Sequence, residues 1–328
     1  MMKTKFIPAI AVLLGALTVA GFSTLAVAKD AFPSKTIRLI VPYSPGGTSD
    51  ILGRLMAGEM SARLGQSVVV ENVPGASSSI GTGRVAGAPN DGYTILLATT
   101  TALTSNPFLY KKLPYKVEDF DPITVVATQP FVFGANPKLP ANNLAELIAY
   151  AKKNPGKIDY GTTGVGSSAH VVGEMAEAGL GIDMIDVPYK GSAPALTDLV
   201  GGQIDIYFDG ITTTLPFYRA GTLKVLAVTS EKRVSTAPDI PTVVEQGHPE
   251  LVVYNRYYLL APAGTPRPVI DRLNKAATEA LKSEAVRARL DTDGNIPHPS
   301  TPQEMAEILK SDAEVWGRTI RKLGIQLG

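Results

Sequence analysis

Short apolar runs recur along the chain, and most are followed by a turn and a stretch whose apolar residues have helical spacing. The runs are rich in β-branched residues, which predicts strands. Strands that alternate with helices are typical of an α/β fold. Strands are predicted over 36–42, 67–70, 93–98, 157–160, 183–188, 204–208 and 223–229, the last three as buried strands.

Apolar residues at helical spacing predict helices between these strands. In the stretch 49–64, Ile51, Leu52 and Leu55 lie on one apolar stripe, and Gly65 ends the pattern. Loops rich in Gly and Pro follow several strands, and the ligand crevice of an open parallel sheet lies at those carboxyl ends. The other predicted helices cover 144–153, 168–178 and most of the tail 268–323, which is interrupted near 295–299.

The first 28 residues predict a secretory signal peptide. Lys3 and Lys5 precede an apolar stretch over 6–20, and Ala-Val-Ala at 26–28 is a cleavage signal that places the cut after Ala28. A membrane anchor is the alternative, but it would need a longer apolar run. The chain has no Cys to carry a lipid. We therefore expect a free periplasmic protein with no direct membrane anchor.

Composition narrows the chemistry. The 328 residues suffice for two packed cores. The 31 basic and 30 acidic residues nearly cancel, which gives no electrostatic footprint for nucleic acid. Without Cys, and with only three widely spaced His, the chain offers no disulfide, thiolate nucleophile or zinc site. We expect no metal, no cofactor and no nucleic-acid partner.

A glycine-rich loop joins the first predicted strand to the first predicted helix. Gly46 and Gly47 allow a sharp turn, and Thr48 or Ser49 can cap the helix that follows. The first amides of a helix lack internal partners and lie at the positive end of its dipole, so they can bind a carboxylate. The alternative is an ordinary capped turn.

The loop over 161–168 repeats this pattern. Thr163, Ser167 and Ser168 supply hydroxyls near a predicted helix start. Two such loops across a cleft would hold a carboxylate through several bonds of about 1.5–3 kcal/mol each. The glycine order is G-x-x-G-x-G, whereas a dinucleotide fingerprint reads G-x-G-x-x-G, which disfavours a nucleotide site.

Six segments together resemble the substrate-binding proteins of tripartite tricarboxylate transporters, also called the Bug family. The resemblance implies a two-lobed flytrap of the type II periplasmic-binding-protein kind, with lobe 1 over 29–128, lobe 2 over 129–253 and a return to lobe 1 over 254–328. It also implies a monomeric receptor that delivers a small organic carboxylate to large and small membrane subunits. The segments are 37–54, 68–82, 160–174, 187–209, 223–233 and 259–274.

Further residues are candidates for ligand contact. The family often has an aromatic ring where this chain has Tyr43, and Ser78 lies in a serine run that replaces a more glycine-rich one. Thr99, Thr100 and Thr101 follow a predicted strand and can reach the cleft, and Thr100 is the candidate for ligand contact. His170 can line the site or bond at a helix start. Asp209, at the end of a strand, can accept a bond from the ligand or cap the next turn.

Arg256 departs from the resemblance, because the family commonly has Trp at this position. A guanidinium can hold a carboxylate through two parallel bonds. The hypothesis is that Arg256 anchors a second carboxylate, which would make the ligand a dicarboxylate, aliphatic or aromatic such as terephthalate. The alternative is a solvated arginine at the junction between the lobes.

A periplasmic hydrolase and a co-receptor for a sensor are the alternatives to a transport receptor. A periplasmic hydrolase is disfavoured because the chain has no G-x-S-x-G elbow, and because Ser168 and His170 lie two apart, on different faces of a helix. A receptor that hands its loaded form to a two-component sensor stays open, since the surfaces that would decide it have no sequence signature. No enzymatic activity is expected.

Overall fold

The computed structural model describes residues 1–2 and 32–327. Most of the predicted signal peptide, with its cleavage site after Ala28, lies outside the described residues. No helix within 32–327 is both long enough and apolar enough to cross a membrane.

Strands and helices alternate through the described chain, which confirms the predicted α/β fold class. A π-helical turn over 101–105 follows the third strand. The elements are, in chain order, β1 (Ile37–Val41), α1 (Thr48–Leu64), β2 (Val68–Asn72), α2 (Ser79–Ala86), β3 (Thr94–Thr99), α3 (Asn106–Leu109), β4 (Phe120–Ala135), α4 (Leu144–Lys153), β5 (Asp159–Thr162), α5 (Ser168–Leu180), β6 (Ile185–Pro188), α6 (Ser192–Gly201), β7 (Ile206–Gly210), α7 (Ile211–Arg219), β8 (Lys224–Val228), β9 (Tyr254–Pro262), α8 (Arg267–Lys282), α9 (Glu284–Thr292), β10 (Ile296–Pro297) and α10 (Pro302–Leu323).

The first lobe is built on β1, β2 and β3, which pair in parallel in the order β2-β1-β3. α1 packs on this sheet because Leu52, Met56 and Met60 repeat at helical spacing and are fully buried. The helix ends at Gly65, whose φ of 72° is the left-handed conformation of a glycine cap. This end of the chain thus folds as its hydrophobic pattern predicts.

Two long strands connect the lobes. β4 pairs antiparallel with β9 along 120–130 and with β7 along 131–135, so it passes from one half of the sheet to the other. Neither strand was predicted. β4 is buried along nearly its whole length, so it lacks the alternation of a half-buried strand, and Pro122 and Pro130 interrupt its apolar pattern.

The second lobe is built on β5, β6, β7 and β8, in the order β4-β7-β5-β6 with β8 also on β4. α4 begins and ends at the predicted residues. The prediction that 183–188 forms a buried strand is wrong: β6 is the edge strand, and Ile185 is 48% exposed. An edge strand has a neighbour on one side only, which leaves its side chains closer to solvent.

The C-terminal segment contacts both lobes. The predicted interruption near 295–299 is confirmed as β10, which pairs with β4. On α10, Met305 lies in a first-lobe cluster, whereas Trp316 and Ile320 lie in the second-lobe cluster that contains Phe131. The predicted lobe boundaries at 128/129 and 253/254 stay a prediction.

Candidate functional site

An inner cavity lies between the lobes, at the carboxyl ends of β1, β3, β5 and β7. This is the edge at which open sheets place their ligands. The volume of the cavity is about 30 Å³, so the lining residues lie close together around it. The cavity is lined by Tyr43, Gly47, Thr48, Ser49, Thr99, Phe131, Thr163, Ser168, Ala169, Ser192, Asp209, Asn255 and Tyr257.

Hydrogen bonds to the Asp50 carboxylate fix the start of α1. Gly46 has a φ of 86°, a left-handed turn that favours glycine, and its amide donates to Asp50 Oδ2 at 3.0 Å. Arg54 and Asn72 also donate to the buried Asp50 carboxylate, at 3.0 Å each. Burial alone would raise the pKa of Asp50, but the hydrogen bonds from Arg54, Gly46 and Asn72 outweigh it and lower the pKa below its usual value.

Two helices begin at the cavity without a side-chain cap from within the described chain. The N-cap of α1 is Gly47 and that of α6 is Gly191. The two starts approach closely, since a Cβ on Gly47 would lie 3.3 Å from Ser192 Oγ. The first residues of both helices line one small space, and the positive ends of two helices at one place favour an anion.

The start of α5 is different, because protein groups already cap it. Ser167 Oγ accepts from the His170 amide at 3.1 Å, and the Ser168 amide donates to Thr101 Oγ1 at 2.9 Å. Thr101 belongs to the first lobe, so this cap also ties the lobes together. α5 contributes Ser168 and Ala169 to the cavity wall.

Asp209 and Asn255 place hydrogen-bond acceptors on the wall of the cavity. Asp209 is 8% exposed and accepts from Thr213 Oγ1 at 2.7 Å. Burial raises the pKa of Asp209, and hydrogen bonds from Thr213 and Ser192 offset only part of that rise. Asn255 Nδ2 donates to the Tyr257 hydroxyl at 3.1 Å, whereas Asn255 Oδ1 is buried without a partner in the described chain. A buried unpaired polar atom that lines a cavity indicates a ligand or water partner.

Tyr43 forms the wall between this cavity and a second one. Its hydroxyl lies 2.8 Å from Thr99 Oγ1. Burial raises the pKa of Tyr43, so the phenol stays neutral near pH 7. The second cavity, named here the outer chamber, has a volume of about 310 Å³ and is open on one side. It is lined by Pro42, Tyr43, Gly75, Ala76, Ser77, Ser78, Tyr110, Thr163, Gly164, Val165, Pro188, Tyr189 and Lys190.

The structure gathers most, though not all, of the predicted ligand residues. Thr100, Ser167 and His170 lie behind the cavity lining: Thr100 Oγ1 accepts from the Arg256 amide at 3.0 Å, and His170 Nε2 lies 3.7 Å from Glu174 and 3.8 Å from Asp186. Gly46 shapes the turn from outside the lining set. The predicted residues that line the inner cavity are Tyr43, Gly47, Thr48, Ser49, Thr163, Ser168 and Asp209, and Ser78 lines the outer chamber.

Arg256 is not among the residues that line either cavity. Its guanidinium forms an ion pair with Asp312 on α10, and the Tyr258 hydroxyl donates to the same carboxylate. Side chains alternate along a strand, so the neighbours Asn255 and Tyr257 face the cavity while Arg256 faces α10. The structure therefore gives no support to Arg256 as a second carboxylate anchor.

Sequence reasoning missed several lining residues. Ser192 had a usable signal, because Gly191 and Ser192 repeat the glycine–hydroxyl start of α1. Asn255 and Tyr257 follow from alternation once β9 is known. Phe131 and Ala169 carry no chemical signature in the sequence, whereas Thr99 belongs to the threonine run that was predicted to reach the cleft. Among the described residues, no three His, Asp or Glu side chains converge to hold a metal.

The fold and the cavity define the class of the protein: it is a two-lobed periplasmic binding protein. The family model described as the tripartite tricarboxylate transporter family receptor matches residues 52–325. The chain therefore belongs to this receptor family, as the resemblance indicated. Its members bind substrates and are not enzymes.

Three solved structures illustrate the likeness. Periplasmic binding protein BugD is 37% identical, with a TM-score of 0.86 over 90% of this chain and 99% of that one. Rpa4515 from R. palustris, solved with adipate, is 33% identical, with a TM-score of 0.88 over 90% and 99%. MatC from Rhodopseudomonas palustris, with bound malate, is 30% identical, with a TM-score of 0.84 over 88% and 100%. These structures confirm the predicted two-lobed fold.

Proposed function

We propose that the protein captures a small dicarboxylate in the inner cavity and delivers it to a tripartite tricarboxylate-type membrane transporter. The observation that carries this proposal is the meeting of two uncapped helix starts, those of α1 and α6, in one buried space. A carboxylate placed there accepts amide donors from both lobes at once.

The first carboxylate is held without a formal cation. The amides at Thr48 and Ser49 and the Ser192 start of α6 supply donors, and Tyr43 adds a neutral phenol. Each bond to a charged carboxylate contributes about 1.5–3 kcal/mol. Several such bonds, less the cost of association, support a dissociation constant in roughly the micromolar range.

Closure of the lobes completes the site. Ser44 Oγ donates to the Lys190 carbonyl at 3.1 Å, Ser77 Oγ donates to the Val165 carbonyl at 2.5 Å, and Thr101 Oγ1 lies 2.9 Å from Ser168 Oγ. These bonds cross the cleft around the cavity. The proposed hinge lies at 129–131 and 253–255, where β4 exchanges β9 for β7 as its partner.

The relatives support the class of ligand. Two proteins with the same fold, at 33% and 30% identity, were solved with adipate and with malate, and both ligands are dicarboxylates. The membrane partner is inferred from the family. We include in the proposal export with cleavage after Ala28, a monomeric receptor, and large and small membrane subunits as the partners.

The proposal is tested by calorimetry and thermal unfolding of the protein purified from a periplasmic fraction. The probes are succinate, adipate, malate, hexanoate and citrate. A dicarboxylate present at about 100 times its dissociation constant should add about 2.7 kcal/mol of stability, a shift of a few degrees. No binding of succinate, adipate or malate would overturn the proposal.

A further inference from the structure

The outer chamber is adjacent to the inner cavity and shares two of its walls. Tyr43 and Thr163 line both spaces. A ligand whose first carboxylate lies at the starts of α1 and α6 can extend past these two side chains toward the chamber. The chemistry of the chamber therefore bears on the far end of the ligand.

The charge on the described lining of the chamber is positive. Lys190 is the only charged side chain among its described lining residues, and no Asp or Glu lines it. Lys190 forms no ion pair within the described part of the chain, whose salt bridges lie elsewhere. Lys190 is exposed and borders this partly enclosed space without a carboxylate partner, so its positive charge favours an anionic guest there.

A second feature of the chamber is the start of α2. The N-cap residue of α2, Ser78, is 1% exposed. Ser78 Oγ nevertheless makes no hydrogen bond to a described residue. A buried hydroxyl without a partner, at the positive end of an eight-residue helix, is an independent indication of an anionic ligand.

The backbone at this position is strained. Ala76, Ser77 and Ser78 have φ values of 46°, 46° and 72°, three consecutive non-glycine residues in the left-handed region. Such conformations cost of order 1–3 kcal/mol each and persist where the surrounding structure holds them, often at ligand sites. Here the Ser77 side chain bonds to Val165 of the other lobe, which keeps the run in place.

The loop that carries Lys190 is also positioned from across the cleft. Its carbonyl accepts from Ser44 Oγ at 3.1 Å, and a Cβ on the neighbouring Gly191 would lie 3.3 Å from Ser44 Cβ. Tyr110 donates to the Val165 carbonyl at 2.8 Å on the opposite wall. Lobe closure therefore brings Lys190 and the start of α2 to the same chamber.

We propose that the outer chamber binds the second carboxylate of the ligand, with Lys190 as its cation and the start of α2, including Ser78, as its neutral donors. The inference rests on the proposed function and deepens it, because it assigns the far end of a dicarboxylate to named residues. Lys190 thereby determines the preference for dicarboxylates over monocarboxylates, and the inner cavity binds the carboxylate that both classes share.

The experiment compares adipate with hexanoate, which has the same chain length and one carboxylate fewer. Lys190→Gln should weaken adipate binding about tenfold, since a bond between charged groups at a partly exposed site is worth the lower end of its usual range. Hexanoate binding should be unchanged within about twofold. Lys190→Arg should retain the preference for adipate. Lys153→Gln, an exposed lysine of α4 in the same lobe, is the matched control.

The outcomes separate the two proposals. A selective loss of adipate affinity in Lys190→Gln supports the inference. If Lys190→Gln binds both acids as the wild type does, or weakens both equally, the assignment of Lys190 is wrong while the proposed function stands. If the wild-type protein binds neither these acids nor the other dicarboxylates, both proposals fail. Ser78→Ala gives a second reading, since it should also weaken adipate more than hexanoate.

Discussion

The starts of α1 and α5 look alike in sequence and differ in what they offer a ligand. Both follow a strand and a glycine-rich loop, and both begin with hydroxyl residues. α1 begins after Gly47 and has no side-chain cap, whereas Ser167 and Thr101 occupy the first amides of α5. A helix start can bind an anion only where its first backbone amides do not already donate to protein groups.

The same contrast divides the polar groups around the cleft. Groups with protein partners, such as Ser167 and Arg256, contribute to stability, whereas groups without them, such as the starts of α1 and α6, are the ones proposed to bind the ligand. Substitutions of the partnered groups should therefore change the free energy of unfolding, and substitutions at the uncapped helix starts should change the affinity for the ligand.

Gly47→Asp should have the largest effect. Its backbone, with a φ of −85°, accepts a side chain, and an Asp N-cap would satisfy the amides of α1 internally. The added Cβ would also lie 3.3 Å from Ser192 Oγ and hinder closure. Calorimetry should show at least about a hundredfold loss of carboxylate affinity, which corresponds to losing one or two charge-assisted bonds. Thermal unfolding should show an unchanged or higher midpoint, and wild-type affinity would contradict the role of α1.

Asp312→Asn tests the ion pair between Arg256 on β9 and Asp312 on α10. It leaves the half-buried Arg256 guanidinium without its counter-charge, which should reduce the free energy of unfolding by about 2 kcal/mol. Arg256→Ala should leave the ratio of adipate to hexanoate affinity unchanged. Denaturant unfolding measures the first effect, and calorimetry the second. A selective loss of adipate binding in Arg256→Ala would revive the sequence-based hypothesis.

Ser167→Ala removes the side-chain cap of α5 and tests the opposite side of the comparison. The expected loss is about 1 kcal/mol of stability, the usual cost of an N-cap substitution. Affinity should change by less than about threefold, because the Ser167 hydroxyl already accepts from the His170 amide. Ser167→Asp, which keeps a cap, should restore stability. A large loss of affinity at unchanged stability would place Ser167 at the ligand.

Asp209→Asn should have the smallest effect, on pH dependence. Burial raises the pKa of Asp209, so the folded protein takes up a proton there more readily than the unfolded chain. This group therefore destabilises the fold as pH rises above the usual pKa near 4 and repels an anionic ligand once ionised. Affinity for adipate should increase as pH falls toward the raised pKa of Asp209, by no more than the tenfold per pH unit that one proton allows. Asp209→Asn should flatten this dependence, and an equal slope in both proteins would exclude Asp209 as its source.

Many of the secondary-structure elements follow from patterns of a few neighbouring residues. The alternation of apolar runs and helical stripes predicted strands and helices in both lobes, but not β4, β9, α2, α6 or α7. α4 begins and ends at the predicted residues, because burial period and turn residues act over a few positions. The glycine–hydroxyl loops and their place after strands also followed from local pattern. Seven of the predicted ligand residues line the inner cavity for that reason.

The tertiary structure decided which of those loops is open to a ligand. Thr101 caps α5 from 67 residues away, and Asp312 pairs with Arg256 from 56 residues away. Such partners depend on how β4, β9 and α10 cross between the lobes, and no local pattern encodes that crossing. The sequence by itself determined the elements with a clear local pattern, the two candidate loops and the family. The packing of one lobe on the other decided which helix starts stay uncapped, the direction in which Arg256 points and the chamber that Lys190 lines, because hydrogen-bond partners distant in sequence meet only in the fold.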